Sequence, residues 1–300
     1  MTIEQLNADY GIDKQLTFVE GNGGFPTIEI ANEKATARIS IYGGQVLSFQ
    51  PISESDDLLF LSKTAYYKEG KAIKGGTPIC WPWFGPDPEG LGRASHGIAR
   101  NRLWNVLSTD TTNGGDTKVI LGFSDTEETR SIWPQFFELT LEIVVGDVLS
   151  IALVTRNQGD QSFLLTQALH TYFTVGDISQ VTVVGLDKTR YIDKVDAGTE
   201  KTQDGDVAIA QEVDRIYLDV PNELVINDEA LGRRIRVTST GSKSAVVWNP
   251  WVDISAKMAD LADEDYKRFV CVETTNAAND VVEVAAGEEY RLMAVYSAEQ

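Results

Sequence analysis

Phe136-Phe-Glu-Leu-Thr-Leu-Glu-Ile-Val-Val145-Gly-Asp-Val-Leu149-Ser-Ile-Ala-Leu-Val-Thr-Arg156 decides the fold class of this 300-residue chain. Leu139, Leu141, Ile143 and Val145 alternate with more polar neighbours, so the apolar side chains share one face only if the backbone is extended. Val145-Gly146-Asp147 then supplies a turn, and a second β-branched run returns from Leu149. The segment therefore reads as an antiparallel hairpin.

Outward from this hairpin the same pattern recurs at 27–30, 35–41, 117–123, 234–238 and 290–296. Turn signals separate the runs: Gly43-Gly44, Asn113-Gly114-Gly115, Asn157-Gln158-Gly159-Asp160 and Thr240-Gly241. Helical stripes are scarce. The best candidates are 125–132, opened by Ser124 or Asp125 as a cap, and 259–266, acidic near its start. Many strands with few helices predict an all-β protein, a large antiparallel β-sandwich. No linker, repeat or low-complexity tract divides it, so 1–300 is expected to be one domain, with 193–212 a polar surface excursion.

Composition narrows the function. With 42% hydrophobic and 24% charged residues a sizeable core is expected. A net charge of −19 argues against nucleic acid or an anionic membrane surface as partner, since both require a positive field. A phosphorylated small molecule would need a local basic cluster, and Lys71, Lys74, Arg93, Arg100 and Arg102 supply one; a solvated basic face is the bland alternative. No secretory leader or membrane span is evident, and Cys80 and Cys271 lie in apolar runs without metal spacing. Both suit a reduced, cytoplasmic setting as core fillers. A monomer is the default expectation.

His96 and His170 are the only histidines, which concentrates the search for a group that trades protons near neutrality. His170 closes the mostly apolar run 162–169 and suits a strand opening at a sheet face; a satisfied structural histidine is the competing reading. His96 precedes Gly97 in a loop of small and basic residues, a setting for ligand contact. Glu273 follows four apolar residues, Phe269-Val-Cys-Val272, where a buried strand would continue with a hydrophobe. It is either a base tuned by partial burial or a strand-end glutamate facing water. Val247-Trp248-Asn249-Pro250-Trp251 ends another apolar strand and could line the same cleft. Lys71-Ala-Ile-Lys74-Gly-Gly-Thr-Pro-Ile-Cys-Trp81-Pro-Trp83-Phe-Gly-Pro86 cannot be a regular helix or central strand. It is either a rigid loop offering exposed tryptophans to a sugar or a tightly packed corner.

Taken together, the segments 75–86, 96–101, 168–173, 191–195, 214–217, 247–250 and 269–273 resemble the hexose-6-phosphate mutarotases, or glucose-6-phosphate 1-epimerases, of the aldose 1-epimerase superfamily. The resemblance implies the galactose mutarotase-like supersandwich, no cofactor and no metal. It implies that His170 is the catalytic acid and Glu273 the catalytic base, exchanging α and β anomers of hexose 6-phosphates through the open chain. It implies that Asp214 binds sugar hydroxyls, that His96 contacts substrate and that Arg100 binds phosphate. Lys74, expected to share the phosphate, stands where many relatives carry arginine, a point charge in place of a bidentate fork. Thr274 replaces a proline of some members. A protonated His170 beside an ionised Glu273 is expected, each charge favouring the other. An aldose 1-epimerase acting on free sugars and a non-catalytic carbohydrate-binding module are the alternatives.

Overall fold

In the computed structural model, which describes residues 1–299, two large antiparallel sheets face each other across one hydrophobic core. The nine-stranded sheet contains Phe137–Val145 and Leu149–Asn157, paired in register from Phe137↔Asn157 to Val145↔Leu149. Leu139, Leu141, Ile143 and Val145 are fully buried, as the alternation requires. Each such burial stabilises by about 1.5–3 kcal/mol. A four-stranded meander, Leu16–Glu20, Pro26–Ala31, Ala35–Ser40 and Gln45–Pro51, adds to the same core.

The eight-stranded sheet carries Val213–Leu218, Ser244–Asn249 and Phe269–Asn276 side by side. Phe269–Asn276 is bonded on its other edge to Gln167–Leu169 and Tyr172–Thr174. Its side chains divide by the period of two. Val270 and Val272 enter the main core, and Thr274 Oγ1 bonds Ser239 of the opposite sheet at 2.7 Å. Phe269 and Cys271 belong to a second apolar cluster on the outer face, with Tyr172 and Leu261. The sheets are also pinned by Thr171 Oγ1 and Tyr296 Oη at 2.6 Å.

Two helix expectations need correction. The helix near 125–132 is Glu127–Ile132, capped by Thr126; Asp125 instead accepts the Phe137 N–H. No α-helix forms over 259–266. There the Asp265 carboxylate accepts the Ala262 N–H, a local bond that competes with helix, and the chain tightens into a 3-10 turn at Asp265–Arg268. The α-helix lies earlier, at Trp251–Ser255. The excursion at 193–212 is partly ordered into the edge strands Thr199–Thr202 and Val207–Ala208. Among the described residues no helix is long and apolar enough to cross a membrane.

Candidate active site

A cleft of about 500 Å³ opens on the outer face of the eight-stranded sheet. Its floor follows from strand alternation: Asp214 and Ile216, Val246 and Trp248, and Glu273 are every-second residues of three adjacent strands. Loops supply the walls, with Lys74, Phe84, Ser95, His96 and Arg100 on one side and Lys194 and Met258 on others. Such a volume with a few convergent polar groups suits a small ligand.

His170 sits where the chain passes from Gln167–Leu169 to Tyr172–Thr174, its N–H bonded to Pro78 O at 3.0 Å. Its ring stacks on Tyr172, with centroids 5.0 Å apart and planes 10° from parallel. Glu273, only 2% exposed, brings Oε1 to 3.4 Å from His170 Nδ1. Neither His170 Nδ1 nor Glu273 Oε2 has a hydrogen-bond partner although both are buried. Buried polar groups are nearly always satisfied, so a pair left open at the bottom of a cleft is set for a ligand.

Burial pushes His170 well below the usual histidine range, with the Arg100 and Lys74 charges adding repulsion. Burial likewise pushes Glu273 well up, reinforced by Asp214. Desolvation thus disfavours the charged form of both groups and opposes the mutual attraction expected of an ion pair. His96 is held down to about 3 by burial, then by Arg100 and Lys74, and is neutral at physiological pH. Its Nδ1 accepts the Gly85 N–H at 3.3 Å, which fixes Nε2 as the protonated nitrogen and a donor. The backbone is left-handed at His96 (φ 64°) and Gly97 (φ 74°). A Cβ on Gly97 would stand 1.9 Å from Trp81 O, so only glycine turns the chain here.

The cation cluster divides. Lys74 and Arg100 line the cleft, Lys74 facing Asp260 at 3.7 Å. Burial lowers the Lys74 pKa, and Asp260 opposes that shift. Lys71 lies in an adjoining recess. Arg93 is tied to Asp87 at 2.9 Å and stacks on Trp83, and Arg102 pairs with Glu128 at 2.9 Å in a different depression. Asp214 is raised to about 6 by burial.

The tryptophan-bearing segment takes the second of its two readings, and Asn249 departs from its expected place. Trp81 and Trp83 are buried, not presented to a ligand: Trp81 donates to Thr155 Oγ1 at 3.0 Å and packs on Trp133 and Phe137, and Trp83 donates to Ala94 O. The segment is a packed corner, and of its residues Lys74, Phe84, Gly85 and Pro86 reach the cleft. Asn249 is fully buried outside the cleft, donating to Tyr266 O and Phe269 O and accepting from Trp251 N–H, because its strand ends there and needs those backbone groups closed. Trp248 beside it does line the cleft, edge-on to His170 at 6.0 Å. Lys194, Tyr172 and Met258 were not anticipated; Lys194 lies inside the 191–195 segment, where its charge in a strand-end turn was the available signal.

A family model described as aldose 1-epimerase matches residues 26–297. A protein of Escherichia coli K12, provisionally named glucose-6-phosphate 1-epimerase, is 40% identical over 252 residues, covering 84% of this chain and 83% of its own. One from Cenchrus ciliaris, with the same provisional name, is 38% identical over 265 residues, 85% of this chain and 79% of its own. Among solved structures, a provisionally named mutarotase of Salmonella typhimurium superposes with a TM-score of 0.89 and 33% identity over 99% of both chains. A galactose mutarotase-like protein of Clostridium acetobutylicum shares the fold, with a TM-score of 0.74 at 15% identity over 96% of this chain and 100% of its own.

Proposed function

The chain belongs to the aldose 1-epimerase family, and we propose that it exchanges the α and β anomers of hexose 6-phosphates, with His170 and Glu273 as its acid–base pair. The observation that carries this reading is the unpartnered pair itself, 3.4 Å apart on the floor of a cleft walled by Lys74 and Arg100. Anomer exchange removes a proton from the C1 hydroxyl and delivers one to the ring oxygen. The pair acts with one proton on His170 and the Glu273 carboxylate free, which makes the acid and the base. A substrate phosphate against Lys74 and Arg100 cancels two of the charges that lower the His170 pKa, and so favours that state. Ring opening then gives the aldehyde, which turns about the C1–C2 bond and recloses on its other face with the roles reversed. Asp214 and the His96 Nε2–H hold the hydroxyls, and Trp248 offers an apolar face. The reaction needs only these side chains, and the two buried free thiols support a cytoplasmic setting.

The test is NMR exchange spectroscopy of glucose 6-phosphate, galactose 6-phosphate and free glucose side by side. Acceleration is expected for the phosphorylated sugars and little for free glucose; equal acceleration of all three would defeat the phosphate role of Lys74 and Arg100. His170→Asn is expected to abolish acceleration with sugar-phosphate binding retained.

A further inference from the structure

Cys271 has no part in the proton transfers, yet it stands two residues before Glu273 on the same face of the same strand. Its Sγ, a nitrogen of His170 and a carboxylate oxygen of Glu273 lie within 4.8 Å of one another, all three residues buried. Two of these side chains already present unpartnered atoms, His170 Nδ1 and Glu273 Oε2. We propose that His170, Cys271 and Glu273 form an inhibitory binding site for one thiophilic divalent cation, of which zinc is the type.

Donor chemistry selects the ion. One sulfur, one imidazole nitrogen and one carboxylate oxygen match zinc or cobalt, whereas magnesium and calcium want shells of oxygen. Tetrahedral coordination with metal–ligand bonds of about 2.0–2.3 Å sets ligand atoms roughly 3.3–3.8 Å apart. The His170–Glu273 separation of 3.4 Å is in that range, and the thiol closes the remainder by side-chain rotation. The fourth position opens to the cleft. Binding expels to solvent both the thiol proton and the proton carried by the acid–base pair, and occupies both members of that pair, so a bound cation stops exchange. Lys74, Arg100 and Lys194 repel a dication, while Asp214 and Glu273 attract it. The strand Tyr172–Thr174, packed beside the site, faces it with the Tyr172 ring, which adds no fixed charge.

The experiment titrates the full chain with cobalt and zinc in phosphate-free buffer. One cobalt per chain is expected, with a thiolate-to-cobalt charge-transfer band, and zinc is expected to displace it. Zinc should inhibit glucose 6-phosphate exchange at concentrations where magnesium does nothing, and a chelator should restore it. Cys271→Ser, with Cys271→Ala as a second variant, should keep metal-free exchange, lose the band and raise the half-inhibitory zinc concentration about tenfold or more. Cys80→Ser should change none of these. Absence of the band, equal inhibition by magnesium, or unchanged zinc sensitivity in both Cys271 variants overturns the site. The cobalt spectrum reads out without turnover, so failure of the exchange activity and failure of the metal site remain distinguishable.

Discussion

The Trp81–Trp83 corner and the His170–Glu273 floor are both buried and both polar, yet they use their hydrogen-bonding groups in opposite ways. In the corner each indole N–H has a partner, Thr155 Oγ1 or Ala94 O, and Phe84 N–H closes on Thr166 Oγ1 at 2.9 Å. On the floor Nδ1 and Oε2 are left open beneath a cleft. A satisfied group stabilises the fold and is finished; an unsatisfied one keeps a desolvation cost that a bound reactant relieves. Between these two regions, saturation rather than burial separates structural from chemical polarity.

The largest effect expected from this contrast is at Glu273. Glu273→Gln preserves the shape but not the proton, and should slow exchange of glucose 6-phosphate by about 10³-fold while the thermal midpoint holds or rises. A rate within tenfold of the parent would place the chemistry elsewhere. Trp81→Ala is the mirror experiment. It should cost about 3–5 kcal/mol in denaturant unfolding, while exchange per folded molecule changes less than tenfold; a selective loss of turnover would make the corner part of the site.

Smaller effects probe the phosphate wall, which lies between the two extremes. Lys74 is paired with Asp260, an acid that a phosphate must displace or face. Lys74→Ala should raise KM for glucose 6-phosphate about tenfold, and Asp260→Asn should lower it about threefold, with free-glucose behaviour unchanged in both. Equal shifts for free and phosphorylated sugar would remove Asp260 from the specificity account. The pH profile is gentler still. Asp214 carries its charge above about 6, so kcat/KM should fall as pH drops through about 6, and Asp214→Asn should flatten that limb. An unchanged limb in the variant would assign it to another group.

The strands were legible because alternation is local: Leu139 to Val145 declare their face without reference to anything distant. His170 and Glu273 were legible as candidates for the opposite reason, each breaking the pattern of its own run, while their roles were implied by the family resemblance of seven ordered segments. What misled were residues whose partners lie far along the chain. Trp81 finds Thr155 and Asn249 finds the Tyr266 and Phe269 carbonyls, and no spacing rule announces a bond closed by folding. The charge state of the acid–base pair was also hidden. It depends on how much water the sheet and loops exclude, and that is a property of the assembled cleft. Asp260 lies in the 259–266 segment that sequence pattern suggested as helix and Met258 just before it, so the place of Met258 on the wall and the pairing of Asp260 with Lys74 required the actual turn.

The strand Phe269–Asn276 is hydrogen-bonded along both edges, by Ser244–Asn249 on one side and by Gln167–Leu169 and Tyr172–Thr174 on the other. Backbone so placed opens only with the sheet as a whole, whereas loops bearing His96, Met258 and Asp260 can fluctuate independently. The molecule thus separates two clocks. Amide exchange around Glu273 is expected to follow global unfolding and that of the walls that admit and release the sugar to run faster, so that warming quickens passage through the cleft before it loosens its chemistry.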